Sequence, residues 1–184
     1  MLVVDVLKLA AKNLRILDKF LLYLEQEDED AKQVADDLLH AFNNVENELA
    51  LDYFPLYAEE VAQTYDGWMC YMDFSYLPVR ILDICDSNGK SVPFQLFPQY
   101  LITQPGEICI KYTYLPYAYK TYDDEVEQQL YVSEHLLACG IAAEYCTMHG
   151  LFESAAIWDK KYKDAIAATY RMKKGKRMPS RGWF

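Results

Sequence analysis

The period of the hydrophobic pattern changes twice along this 184-residue chain. In residues 1–52 apolar side chains recur every three to four positions, as in an α-helix that buries one face. Between Leu56 and Leu115 the period becomes two, and short strands are divided by four prolines and by the turn tetrad Asp86-Ser87-Asn88-Gly89, with Pro55 and Pro116 at the two ends. The helical period then returns. This order predicts an α+β fold, with a small antiparallel β-sheet lobe inserted between N-terminal helices and a C-terminal helical hairpin.

The N-terminal part predicts two helices. The first runs from Leu2 to Leu24 and ends at the acidic run that begins at Glu25. Asp28 or Asp30 can cap the second helix, which must stop before Pro55. Charged residues recur at every turn of the first helix, so we expect an amphipathic helix and no membrane span.

The central lobe predicts one sheet of six short strands. The candidate strands are residues 57–64, 68–73, 79–85, 91–96, 100–103 and 107–115. In the last strand Ile108, Ile110, Tyr112 and Tyr114 should share one face, whereas Cys109, Lys111 and Thr113 should share the other.

A third helix is expected to start near Thr121 to Asp123, where Thr or Asp can cap and further acids match the helix dipole. Gly150 should take a left-handed conformation before a fourth helix, which continues to Tyr170. Small residues around Gly140 should let the two helices approach closely. We therefore predict a single domain with four parts, which are residues 1–52, 56–116, 121–172 and an extended arm at 173–184.

The charge of the chain reverses near its end. The net charge is -10, yet the last fourteen residues carry six cations and no acid. We predict a partner-docking arm in which these cations pair with acidic groups and the two terminal aromatic rings are buried as anchors. The predicted docking residues are Arg171, Lys173, Lys174, Lys176, Arg177, Arg181, Trp183 and Phe184. Truncation after Tyr170 should leave a folded chain that no longer joins its partner.

The residue inventory predicts no catalytic residue, no metal site and no cofactor. A phosphate loop, a nucleophile elbow and a zinc-protease motif are all missing. The five cysteines lack CxxC spacing, and we expect them to be reduced and buried. Cys146 and His149 lie three apart on one predicted helix, but a structural role is far commoner for such a pair than nucleophilic catalysis.

The layout resembles the head-to-tail connector (adaptor) proteins of tailed bacteriophages, especially the tail-tubular-protein-A type. In that family a helical lobe carries an inserted β-rich lobe that ends in a tyrosine-proline step before the last long helices. The resemblance spans roughly residues 31 to 175. The segments that carry it are Tyr112-Thr113-Tyr114-Leu115-Pro116 before Asp123-Asp124-Glu125, then Gly140-Ile141-Ala142-Ala143-Glu144-Tyr145 and Ala156-Ile157-Trp158-Asp159-Lys160-Lys161-Tyr162.

The resemblance implies a non-enzymatic virion protein, assembled in the host cytoplasm. Twelve copies would form a ring below the portal protein, extend the DNA channel and give downstream tail proteins a platform. Sixteen tyrosines suit large protein contacts, and an acidic lumen would let double-stranded DNA pass without binding.

Two alternatives from other classes are open. An accessory nucleic-acid-binding protein could use the basic C-terminal arm, although the acidic body would oppose its approach to DNA. An enzyme of unfamiliar type could use the aromatic face of the sheet as a pocket.

Overall fold

The protein is described by a computed structural model, which describes residues 1–117, 121–127 and 132–173. The chain divides into two compact units. The helical unit comprises Met1–Glu48 with Tyr119–Phe184, and the β-rich unit comprises Leu49–Ala118. The predicted α+β class, with helices at both ends of the chain and strands between them, is confirmed.

The described part of the helical unit contains five α-helices: α1 (Val3–Leu14), α2 (Leu17–Gln26), α3 (Glu29–Glu48), α4 (Glu134–Met148) and α5 (Phe152–Lys173). Helix α4 is buried along most of its length and packs against α1, α3 and α5. None of these helices combines the length and the apolar character that a membrane span needs, among the residues described.

The predicted single first helix is wrong, because the chain breaks between α1 and α2. Arg15 takes a left-handed conformation with φ of 61°, and its N–H bonds back to carbonyl groups of α1. The break lets α1 pack on α4 while α2 packs on α3, with Phe20 buried. One straight amphipathic helix could not follow both neighbours.

Helix α3 begins as the sequence predicted. The carboxylate Oδ1 of Asp28 accepts hydrogen bonds from the N–H groups of Asp30 at 2.8 Å and Ala31 at 3.2 Å. These two donors would otherwise be unpaired at the start of the helix. A π-helical turn, Leu49–Tyr53, follows in the chain and ends before Pro55, as expected.

The predicted start of the third helix is also wrong. Helix α4 begins at Glu134, and Ser133 caps it by accepting a hydrogen bond from the N–H of Leu136 at 3.2 Å. The backbone of residues 121–127 instead bonds to the first residues of the chain, since Val4 N–H donates to Tyr122 O and Val126 N–H donates to Met1 O. These contacts take up the backbone groups that a helix there would have used.

Close packing of α4 and α5 is confirmed. A Cβ atom at Gly140 would lie 2.9 Å from a ring carbon of Tyr162 and 2.8 Å from a methyl group of Val45. Gly150, with φ of 71°, makes the turn between the two helices, as predicted.

The described part of the β-rich unit forms two sheets where one was predicted. Its strands are β1 (Leu56–Thr64), β2 (Trp68–Cys70), β3 (Pro78–Asp86), β4 (Gln95–Leu96), β5 (Tyr100–Ile102) and β6 (Gly106–Tyr114). The orders are β1-β6-β3 and β2-β5-β4, and all pairs are antiparallel.

Two predicted strands are shorter than expected. After β2 the chain forms a 3-10 turn at Tyr71–Asp73, and the predicted strand at 91–96 is reduced to β4. The N–H of Val92 instead donates to Ile84 O at 2.8 Å, beside an isolated bridge between Ser91 and Cys85.

The core of the β-rich unit lies on the inner face of β6 and contains residues from both sheets. Ile108, Ile110 and Tyr112 are buried there, as the alternation predicted. Leu101 of β5 and Met69 of β2 join the same cluster. The opposite face of the β1-β6-β3 sheet is thereby left pointing outward.

Candidate interaction surface

The predicted docking residues fall at the end of α5 and beyond it. Arg171 is exposed on this helix, and Lys173 is its last residue. Because α5 reaches Lys173, the helix runs one residue further than the predicted hairpin. The other six predicted residues lie outside the described residues: Lys174, Lys176, Arg177, Arg181, Trp183 and Phe184.

The outward face of the β1-β6-β3 sheet, called the sheet face below, is organised in rows by the strand register. Tyr57, Thr113 and Arg80 form the first row. The second, the charged row, contains Glu59, Lys111 and Asp83, and the third, the thiol row, contains Val61, Cys109 and Cys85. Directly opposite residues in a sheet share a face, so the register brings these side chains together.

The charged row has one cation between two acids. Lys111 Nζ lies 3.6 Å from a carboxylate oxygen of Glu59, with both side chains about half exposed. Asp83 accepts a hydrogen bond from the hydroxyl of Ser91 at 2.7 Å. Because the row is open to water, the Glu59–Lys111 ion pair contributes little to stability.

The two cysteines of the thiol row donate hydrogen bonds to the carboxylates of the charged row. Cys109 donates to Oε1 of Glu59 at 3.0 Å, and Cys85 donates to Oδ2 of Asp83 at 3.4 Å. The hydrogen bond from Cys109, followed by the charge of Lys111, lowers the pKa of Glu59. Bonds from Ser91 and then from Cys85 lower the pKa of Asp83.

The same hydrogen bonds act in the opposite sense on the two thiols. The Glu59 carboxylate, followed by burial, raises the pKa of Cys109, and the Asp83 carboxylate, followed by burial, raises the pKa of Cys85. A thiol held beside a carboxylate loses its proton less readily and is a weaker nucleophile at neutral pH.

Irregularities in β3 add apolar residues to the sheet face. The register shifts between Pro78 and Arg80 and again between Ile81 and Asp83, so Val79 and Leu82 are extra residues. Both are exposed, as is Tyr57 across the sheet. A hollow of about 170 Å³ is lined by Ala50, Leu51, Pro55, Tyr57, Val79, Arg80, Leu82, Thr113 and Tyr114.

The helical unit exposes a separate apolar surface at the turn between α4 and α5. Met148, Leu151 and Phe152, called the hairpin tip below, are all exposed, and Phe152 is 70% exposed. Large apolar side chains grouped on a surface are typical of protein contact sites. The hairpin tip has no charged row, so it differs in chemistry from the sheet face.

A groove in the helical unit carries three acids. Its volume is about 280 Å³, and its lining includes Glu48, Glu144 and Asp159 beside Gly140 and Tyr162. Asn44 donates to Glu144 at 3.0 Å, and Lys163 pairs with Asp159 at 2.7 Å. The small residues that let α4 and α5 approach thus also shape this groove.

The histidines have partners that the sequence alone did not show. His149 Nε2 lies 3.2 Å from Asp37 of α3, and its ring packs on Tyr145 with a centroid separation of 4.2 Å. Its predicted neighbour Cys146 is buried, and burial raises the pKa of that thiol. Asp37 is distant in sequence, so periodicity could not have revealed the contact.

Another cysteine–histidine pair lies in α4. Cys139 Sγ is 3.7 Å from His135 Nε2, but Cys139 is fully buried, and burial raises the pKa of its thiol. A buried neutral thiol contributes to packing in the same way as a small apolar side chain.

The prediction that all five cysteines are buried is wrong for three of them. All five are free, but Cys70, Cys85 and Cys109 are only partly buried. Cys85 and Cys109 lie on the outward side of their strands, where alternation places them. In the described part of the chain, His, Cys, Asp and Glu side chains form no group of three that could hold a metal ion.

Comparison of the sequence with protein-family models and with curated proteins identifies no family for this chain. The sequence matches no protein-family model and none of the curated proteins.

Proposed function

We propose that this chain is a structural subunit of a bacteriophage head-to-tail connector. In this proposal copies of the chain form a ring below the portal protein. The resemblance implies twelve copies in that ring. The ring extends the DNA channel and offers downstream tail proteins a platform. The subunit assembles in the host cytoplasm and stays in the virion.

The observation that carries the proposal is the presence of two unlike apolar surfaces, one in each unit. The sheet face combines exposed Tyr57, Val61 and Leu82 with a charged row, whereas the hairpin tip presents Phe152 and its neighbours. A ring needs such unlike surfaces, because each subunit contacts its neighbour through two different patches. A symmetric dimer would use one patch twice.

The acidic character of the β-rich unit supports a passage for DNA. Between Leu49 and Ala118 there are eight acids and three bases. Negative charge repels the phosphate backbone, so duplex DNA could move through the ring without stable binding.

The cationic C-terminal residues are proposed to dock on the portal protein or on a neighbouring copy. Arg171 is exposed on the last turns of α5, and five further Lys and Arg residues follow it in the sequence. Arg side chains pair well with carboxylates, and buried Trp and Phe rings anchor protein interfaces.

Native mass spectrometry and particle imaging test the ring directly. The wild-type chain should form closed rings, alone or with the portal protein. Phe152→Ser and Val61→Ser should each shift the chain toward monomers, whereas Leu96→Ser, at another exposed apolar position, should leave rings intact. A chain that stays monomeric at every concentration and with the portal protein would overturn the proposal.

An accessory nucleic-acid-binding function is the second candidate, and the same cationic residues support it. In a DNA shift assay it requires binding that weakens steeply with salt and disappears when residues 174–184 are removed. The connector proposal expects no such shift.

A further inference from the structure

We propose that Cys85 and Cys109 form a reversible disulfide bond across the β3–β6 pair, making the sheet face a site of oxidative modification. This inference concerns the chain alone and does not depend on the proposed ring.

The strand register places the two cysteines directly opposite each other. Hydrogen bonds at the outer edge of β3 show that Cys85 and Cys109 form a hydrogen-bonded pair rather than a non-hydrogen-bonded one. At that edge Ile84 O accepts from Val92 N–H, and Asp86 N–H donates to Lys90 O. Both groups point away from β6, so by alternation the N–H and C=O of Cys85 point toward Cys109.

A directly opposite, hydrogen-bonded antiparallel pair has Cα atoms about 5.5 Å apart. Disulfides span Cα separations of roughly 4.4–6.8 Å, but they need Cβ atoms about 3.5–4.5 Å apart, closer than the roughly 5.5 Å of such a pair, so the two strands must tighten locally by about 1 Å to join the sulfur atoms. The resulting strain makes the bond easier to reduce. Both side chains lie on the outward face and are partly buried, and a hollow of about 340 Å³ opens beside them. A reagent in solution can therefore reach the two sulfur atoms from this hollow.

The other cysteines are less suited to this chemistry. Cys139 and Cys146 are buried in α4, and Cys70 lies on β2 of the second sheet opposite Tyr100. Cys85 and Cys109 are thus the cysteines that a strand register pairs.

A disulfide such as glutathione disulfide is the proposed oxidant. The thiolate of one cysteine attacks a sulfur of glutathione disulfide, and one glutathione thiolate leaves. The thiolate of the second cysteine attacks the protein sulfur of the mixed disulfide, and the second glutathione thiolate leaves. One protein S–S bond replaces that of the oxidant, and the two protons lost by the cysteines pass to the two glutathione thiolates, which become thiols.

The groups around the pair restrain the reaction at neutral pH. Glu59 of β1 and Asp83 and Asp86 of β3 face the thiols with negative charge, and Lys111 of β6 partly offsets them. Because thiolate is the attacking species, the rate should increase with pH into the alkaline range. Removing one negative charge with Glu59→Gln should increase the rate severalfold near pH 8.

Oxidation would also change the charged row. Cys109 would stop donating to Glu59, and Cys85 would stop donating to Asp83. The pKa of each carboxyl group should then rise toward its ordinary value. The redox state of the thiol row would thereby alter the electrostatics of the sheet face.

The test is oxidation of the full chain with glutathione disulfide, followed by alkylation of remaining thiols and peptide mass mapping. We expect a Cys85–Cys109 cross-linked peptide, a product lighter by two hydrogens and reversal by dithiothreitol. The melting temperature should rise by roughly 5–10 °C, because the bond closes a loop of the unfolded chain.

Matched variants separate this reaction from general thiol oxidation. Cys109→Ser should stop at a glutathione adduct on Cys85, and Cys70→Ser should give the wild-type yield. In the proposed ring a neighbouring copy would cover the sheet face. The experiment is therefore repeated on Phe152→Ser, which should be monomeric, so that ring contacts do not conceal the thiols. Persistent mixed disulfides in the wild-type chain, intermolecular links, or no product while the chain stays folded would overturn the proposal.

Discussion

Gly140 is a position of close helix packing in the helical unit. Its missing side chain leaves room for the ring of Tyr162 on α5 and for Val45 on α3. The small-residue pattern around Gly140 predicted this close approach of α4 and α5. The contact with Val45 could not be predicted, because the position of α3 depends on tertiary packing.

Gly140→Ala should destabilise the protein by about 1–3 kcal/mol through overpacking. This sign opposes helix propensity, by which alanine exceeds glycine by roughly 1 kcal/mol. Urea unfolding measures the difference. Val45→Ala in the same chain removes one of the two clashes and should recover part of the loss. A Gly140→Ala variant more stable than wild type would contradict the packing described here.

Tyr122 is one residue through which the helical unit should respond to alkaline pH. Burial, followed by the nearby Tyr23 and Asp36, raises the pKa of Tyr122 to about 12. An unfolded tyrosine ionises near pH 10, so between about pH 10 and 12 the unfolded chain has lost a proton that the folded chain retains. This contribution to stability is complete below pH 10 and decreases as the pH rises.

Tyr122→Phe should therefore lose less stability than wild type between about pH 10 and 12. Denaturant unfolding at successive pH values measures the two slopes. The edge-to-face contacts with Phe20 and Tyr23 require only the ring, so the variant should remain folded at pH 7. Equal slopes would show that the phenol of Tyr122 does not titrate in this way.

The start of α4 shows where local sequence signals were misleading. Thr121 and the acids after it have the composition of a helix start, but their segment pairs with the N-terminus of the chain. Leu2 and Glu125 form an isolated antiparallel bridge, and Val3 N–H donates to Asp124 O at 3.0 Å. Ser133 caps the helix instead.

Ser133→Ala should cost about 1 kcal/mol, because the N–H of Leu136 loses its acceptor. Ser133→Asp should preserve stability, since Asp is also a good N-cap. Asp123→Ala, at the predicted cap region, serves as the control and should change the free energy of unfolding by less than about 0.5 kcal/mol. A larger loss from Asp123→Ala than from Ser133→Ala would contradict this assignment.

The irregular strand β3 shows what alternation can and cannot reveal. Ile108, Ile110 and Tyr112 on β6 are buried, as the sequence predicted, because a regular strand alternates faces. On β3 the shifts at Val79 and Leu82 interrupt this alternation and expose both side chains. The position of a bulge depends on how two strands pair, so it could not be predicted from the sequence of β3 alone.

The proposed docking through the C-terminal residues is tested on the whole chain. Because α5 extends to Lys173, removal of residues 174–184 leaves that helix intact, whereas truncation after Tyr170 would shorten it. The 1–173 chain should keep the wild-type circular dichroism spectrum and melting temperature. Its affinity for the portal protein or a neighbouring copy should fall at least tenfold, since the anchor residues are absent.

Binding by surface plasmon resonance and ring counts by native mass spectrometry measure this loss. Replacement of Lys174, Lys176, Arg177 and Arg181 by Gln, with Trp183 and Phe184 retained, separates charge from aromatic anchoring. That variant should bind with a weaker dependence on salt. Unchanged assembly by the 1–173 chain would overturn the docking role of these residues.

The sequence by itself determined the order of elements, the burial of alternate residues in β6 and the left-handed turn at Gly150. Each depends on a short-range property, which is a hydrophobic period or the freedom of one backbone angle. Only the tertiary structure decided the break at Arg15, the division into two sheets and the meeting of Cys85 with Cys109. These features depend on which distant segments pair, and that choice is made by the summed burial and hydrogen bonding of the folded chain.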